Sequence, residues 1–76
     1  MIQYKYELMH YTRKNKKITL KMLGEAIGVS KSYLSLIEKG ERGLSYNLAV
    51  KIANYLEMTP DELFLDDHII YLKSLK

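Results

Sequence analysis

Thr19-Leu20-Lys21-Met22-Leu23-Gly24-Glu25-Ala26-Ile27-Gly28-Val29-Ser30-Lys31-Ser32-Tyr33-Leu34-Ser35-Leu36-Ile37-Glu38-Lys39-Gly40 is the stretch that decides how this chain folds. Thr19 can cap a helix that carries Leu20, Leu23 and Ile27 on one face. Gly28 stands where a helix ends on a left-handed residue, and Ser30 can cap a second helix with Leu34 and Ile37 inward, ending at Gly40. Two helices joined by so short a turn cross steeply, and the first needs a small residue at the crossing. Gly24 supplies it. A glycine inside a helix costs about 1 kcal/mol relative to alanine, a cost that close approach of another element offsets. Gly28 is comfortable at positive φ, and Leu23, Ile27, Val29, Leu34 and Ile37 fall where a wedge between the pair needs them.

The pattern predicts a helix-turn-helix over 19–40. Upstream, residues 5–15 predict a helix with Leu8, Met9 and Tyr11, followed by the polar break Lys14-Asn15-Lys16-Lys17. Period-two alternation occurs only in Ile2-Gln3-Tyr4-Lys5-Tyr6, an extended arm or a helix start. Downstream, Glu41-Arg42-Gly43-Leu44 reads as a loop, and Ser45 caps a helix with Leu48, Ala49, Ile52, Ala53 and Leu56 on one face. Thr59-Pro60-Asp61-Glu62 predicts a helix start with Thr59 as cap, Pro60 first, and Glu62 reaching back to the cap. Leu63 and Phe64 then face inward. The tail from Asp66 to Lys76 reads as an amphipathic helix with Ile69, Leu72 and Leu75 or Lys76 in register, though its pattern leaves the type open. The fold class expected is all-α.

Seventy-six residues make one domain. The absence of cysteine excludes a disulfide framework, a thiolate zinc site and a cysteine nucleophile. His10 and His68 lie near opposite ends of the chain without metal-ligand spacing, and read as surface or partly buried side chains. Asp66 and Asp67 are neighbours and not a positioned carboxylate pair. No glycine-rich phosphate loop or nucleophile with a base at interpretable spacing is present. The expectation is no catalytic residue, no metal, no cofactor and no enzyme. No apolar run approaches the ~20 residues of a membrane span, and no signal-peptide h-region is present, so a cytoplasmic protein is expected.

Charge is unevenly placed. Residues 1–39 hold eight Lys and Arg against three Asp and Glu, a net of +5; residues 40–76 hold four against six, a net of −2. The basic half contains the helix-turn-helix and suits a polyanion approached from one side. The seven tyrosines are scattered over several elements, which disfavours a stacking array for single strands.

The 19–40 stretch, with its Gly28-Val29-Ser30, Tyr33, Ser35, Glu38 and Gly40, resembles the Cro/C1-type (XRE) family of bacterial and phage regulators. The resemblance continues through Ser45, Lys51-Ile52-Ala53, Leu56 and Thr59-Pro60-Asp61-Glu62-Leu63, covering roughly residues 9–64. Relatives often carry Gln where this chain has Leu20, Ala where it has Gly24, and Pro where it has Leu44. The resemblance implies a compact five-helix, lambda-repressor-like domain over about residues 5–64 with a short tail at 65–76. It also implies double-stranded DNA bound in the major groove, often by a homodimer on a palindromic operator. The function expected is a transcriptional regulator of the phage or mobile-element repressor type, or a restriction–modification controller. The alternative is an antitoxin or adaptor whose helical surface holds a partner protein.

In that docking mode the second helix turns its N-terminal residues to base edges. Lys31, Ser32, Ser35 and Leu36 are the expected readers. Lys31 stands in a first turn, where the helix dipole disfavours a cation by about 0.3–1 kcal/mol, so facing guanine or phosphate makes sense of it. Backbone contacts are expected from Lys17, Lys21, Ser30, Tyr33, Lys39 and Arg42, with Ser30 also able to cap its helix. Relatives pair an arginine of the first helix with a glutamate late in the recognition helix, here Arg13 and Glu38. A half-buried carboxylate needs a partner with several donors, which arginine is. Ile69, Ile70, Leu72 and Leu75 exceed what so short an end needs for itself, and are expected to form a dimer contact.

Overall fold

The structure, a computed structural model describing residues 4–74, consists of helices α1 (Glu7–Asn15), α2 (Leu20–Ile27), α3 (Lys31–Lys39), α4 (Tyr46–Tyr55), α5 (Pro60–Phe64) and α6 (Asp66–Ser74). Four of these starts are written in single hydroxyls. Thr19, Ser30 and Ser45 accept from the backbone N–H groups of Met22, Tyr33 and Leu48 at 3.0, 3.1 and 3.1 Å. Thr59 accepts from the Glu62 N–H at 3.1 Å while Glu62 accepts from the Thr59 N–H at 2.9 Å, closing a capping box. Helices α2 and α3 end on Gly28 and Gly40, both left-handed at φ 83 and 87.

Helix α2 packs on α3 and α4, α1 bridges α3 and α5, and α6 closes the other side against α4 and α5. The core between them is built from Met9, Leu23, Leu34, Ile37, Ile52 and Leu56, all fully buried. A tail beyond five helices was expected, and it is a sixth helix. Leu65 leads into it, with a carbonyl that accepts from Ile69 N–H at 3.1 Å and a φ of 70. Ile69 and Leu72 are buried at 2% and 4% exposure, so half of the four tail residues expected at a dimer contact complete the protomer's own core. Ile70 points outward at 64% exposure. Leu75 lies outside the described residues, as do Ile2 and Gln3 of the N-terminal alternation.

The steep α2–α3 crossing depends on Gly24. Its carbonyl accepts from both Gly28 N–H (2.8 Å) and Val29 N–H (3.0 Å), folding the turn back over the helix. A Cβ on Gly24 would meet the Val29 carbonyl oxygen well inside contact distance, with the Lys31 nitrogen 3.4 Å away. Alanine here regains about 1 kcal/mol of helix propensity but overpacks backbone, at about 1–3 kcal/mol. Gly24→Ala is therefore expected to lower stability by up to about 2 kcal/mol in denaturant titration, where the same change on an exposed helix face would raise it. A gain in stability would mean that the crossing relaxes freely.

Tyr6 fastens three elements at once. Its N–H donates to the Glu38 carbonyl at 3.2 Å, its ring stands edge-on to Phe64 at 5.3 Å, and its hydroxyl meets His68 Nε2 at 2.8 Å. Burial, reinforced by the charge of Lys5, lowers the His68 pKa below its ordinary 6.5. A histidine depressed in the folded state stabilises the fold above its unfolded pKa, and that stabilisation is lost as pH falls through 6.5 toward the folded value. Thermal stability is thus expected to fall as pH drops below 6.5, with the slope reduced in His68→Gln. The Glu62 carboxyl, lowered by the Thr59 N–H, loses its contribution only at more acid pH, below its ordinary 4.5. An unchanged slope in His68→Gln would show that another group titrates in this window.

Candidate nucleic-acid interface

Helix α3 divides into two stripes. Leu34, Ile37 and Glu38 are buried, whereas Lys31, Ser32 and Lys39 are exposed and Ser35 and Leu36 are half-buried at the edge. Residues 31, 35 and 39 recur every four positions and share one face, with 32 and 36 alongside. Of the four expected readers, Lys31 and Ser32 are therefore turned from the core, while Ser35 and Leu36 stand at the half-buried edge of that side. No acidic residue belongs to this stripe.

The flanking cations are held by the turns that carry them. Lys17 sits at φ 58 in the α1–α2 turn, its N–H donating to Lys14 O at 3.0 Å. Lys21 is exposed in the first turn of α2. At the far end the Leu36 carbonyl accepts from Glu41 N–H (2.8 Å) and Arg42 N–H (3.3 Å), which ties the loop carrying the exposed Arg42 to the end of α3 beside Lys39. The Ser30 hydroxyl accepts from Tyr33 N–H and is engaged as a cap. Tyr33 is 37% exposed, so it lies between the reading stripe and the core. Leu20, where relatives often have glutamine, is half-buried and packs against the core.

Arg13 and Glu38 meet inside the protein. Arg13 Nε donates to Glu38 Oε2 at 2.8 Å and Nη2 to Oε1 at 3.2 Å, with the residues 5% and 1% exposed. Arg13 Nη1 also donates to the Ile18 carbonyl at 2.8 Å. The guanidinium thus ties the turn carrying Lys17 to the last turn of α3, and is committed inward. His10, read from the sequence as a surface or partly buried histidine, belongs to the same cluster. Its Nδ1 lies 3.0 Å from Glu38 Oε1, its exposure is 9%, and the Tyr4 ring stacks on it at 3.7 Å. The signal was its position three residues before Arg13, on the same face of α1.

Among the described residues, no group of three or more His, Asp or Glu side chains comes together as a metal would require, and no helix is long and apolar enough to cross a membrane. A family model for helix-turn-helix domains, of the Cro/C1 type, matches residues 9–63, which runs from α1 to α5. No curated protein and no solved structure matches the chain.

Proposed function

Because this chain belongs to the Cro/C1-type helix-turn-helix family of DNA-binding regulators, we propose that it is a sequence-specific transcriptional regulator that lays α3 in the major groove of a palindromic operator as a homodimer. The regulator is of the kind that represses phage or mobile-element promoters or controls restriction–modification genes. One observation carries the reading: α3 exposes Lys31, Ser32 and Lys39 on one side, with Ser35 at its edge, while Leu34, Ile37 and Glu38 on the other are buried. Lys31 donates to guanine O6/N7, Ser32 and Ser35 to neighbouring base edges, and Leu36 packs on a thymine methyl. Lys17, Lys21, Lys39 and Arg42 hold phosphates on either side, setting register without reading sequence.

Pairing runs through the outer face of α6. Ile70 is 64% exposed there, next to Tyr71 at 57%, and Leu65 at the start of the helix is 69% exposed. Ile69 and Leu72 serve that contact indirectly by seating α6 on the core. A two-fold pair would set its two α3 helices about 34 Å apart, one turn of duplex.

Selection of bound sites from a randomised duplex pool tests the reading, since it reports sequence and half-site spacing together. Lys31→Ala is expected to weaken the selected duplex by about 1–3 kcal/mol and a random duplex far less. Equal losses on both would move Lys31 to the phosphate contacts. A pool that returns no enriched sequence would overturn the reading in favour of a protein partner held on the exposed Leu65, Ile70 and Tyr71.

A further inference from the structure

We propose that His10 is a positioning residue for the DNA-reading helix: its imidazole, protonated on Nδ1, completes with Arg13 a clasp on the Glu38 carboxylate that fixes the tilt of α3. The proposal rests on the reading of α3 given above. Glu38 is 1% exposed, so its oxygens depend on protein donors alone. Oε2 takes a short bond from Arg13 Nε at 2.8 Å, but Oε1 receives only the longer Nη2 contact at 3.2 Å. His10 Nδ1, at 3.0 Å from Oε1, makes up that deficit if it carries a proton. A bare Nδ1 would aim a lone pair at Oε1, with only the longer 3.4 Å contact from Arg13 Nη2 to set against the nearer 3.0 Å carboxylate oxygen. The ring cannot turn away. Tyr4 stacks on it at 3.7 Å with planes 13° apart, and the Tyr11 ring stands against it at 5.2 Å, tilted 75°.

The clasp acts on reading through leverage. Glu38 lies seven residues from Lys31, about 10 Å along the helix axis, so a tilt of about 5° at Glu38 moves the reading end by about 1 Å. A base-edge hydrogen bond within 2.7–3.2 Å, the general range, does not survive that shift, whereas a lysine on a phosphate follows it. Loss of His10 should therefore cost discrimination between sequences before it costs binding.

Two measurements on the full chain decide this. Long-range nitrogen–proton NMR of the histidine ring is expected to show the Nδ1–H form for His10 at neutral pH; an Nε2–H tautomer overturns the clasp whatever DNA does. His10→Leu is expected to lower the ratio of affinities for the best pool-selected duplex over a random duplex about tenfold, and His10→Asn, whose amide N–H can stand near the lost Nδ1–H, to restore it to within about threefold. Equal weakening on both duplexes, or no rescue by asparagine, would reduce His10 to packing. Should His10→Leu fail to fold, the asparagine variant and the wild-type tautomer still decide. If the wild-type chain selects no duplex, the DNA reading and the positioning role fall together, while the tautomer separately reports whether the clasp exists.

Discussion

Arg13→Met alone is expected to cost about 3–5 kcal/mol, and Glu38→Leu alone at least as much, whereas the double variant loses far less than their sum. Both groups are out of water, at 5% and 1% exposure, and joined at 2.8 Å. Removing one leaves the other without its counter-charge where solvent cannot reach. The two sides are unequal. Arg13→Met also forfeits the bond to the Ile18 carbonyl, while Glu38→Leu leaves Arg13 without its counter-charge and takes the carboxylate from His10 as well. Glu38→Leu is therefore the harsher change. A domain of this kind has about 5–15 kcal/mol in total, so either single variant approaches the edge of folding. Replacing both by apolar groups of similar volume removes the stranded charge and recovers much of the loss, because a buried pair returns little beyond its own desolvation cost. A denaturant double-mutant cycle should give a coupling of about 2 kcal/mol or more, nearly unchanged in high salt because the pair is not solvated. Small additive losses in the two single variants would mean that the pair does not hold α3 in place.

Arg13 and Glu38 also show where sequence reading succeeds. The caps Thr19, Ser30, Ser45 and Thr59 are legible because each acts within three residues, and the glycines at 28 and 40 because helix ends demand them. The ion pair spans 25 positions, yet an apolar neighbour such as Ile37 and the family resemblance together single it out. His10 had only its place three residues before Arg13 as a guide. Its role depends on a carboxylate 28 positions away and on a tyrosine ring packed over it, neither of which leaves a local pattern. The same is true of Tyr6 and His68, 62 positions apart. The tail is a different case. Its apolar residues were visible, but which of them face the protomer and which face outward depends on the space left between α4 and α5. Ile69 and Leu72 fill that space and Ile70 does not, a division that composition cannot express. It follows that cutting the chain after Phe64 would open the core as well as remove the proposed dimer contact, so a point change at Ile70 is the cleaner probe.

DNA affinity is expected to fall by roughly 10⁴ between 50 and 200 mM salt if two copies bind, but by only about 10² if one does. Each phosphate neutralised contributes about −0.9 to the slope of log affinity against log salt. Lys17, Lys21, Lys39 and Arg42 are all exposed, and as the proposed phosphate contacts they would count four per copy. Arg13 adds nothing, because its guanidinium is spent on Glu38 and Ile18. The slope should then be about −7 for a dimer and between about −3 and −4 for a monomer. Lys39→Ala flattens the dimer slope by about 2, since it removes one contact from each copy, and weakens selected and random duplex alike. Ile70→Glu places a charge on the outer face of α6 without touching the core, so it should leave the protein folded while turning the dimer slope into the monomer one. Sedimentation of the same variant reports the assembly directly. A wild-type slope already near −3 to −4, with no change in Ile70→Glu, would show that one copy binds alone; an affinity indifferent to salt would remove the polyanion itself.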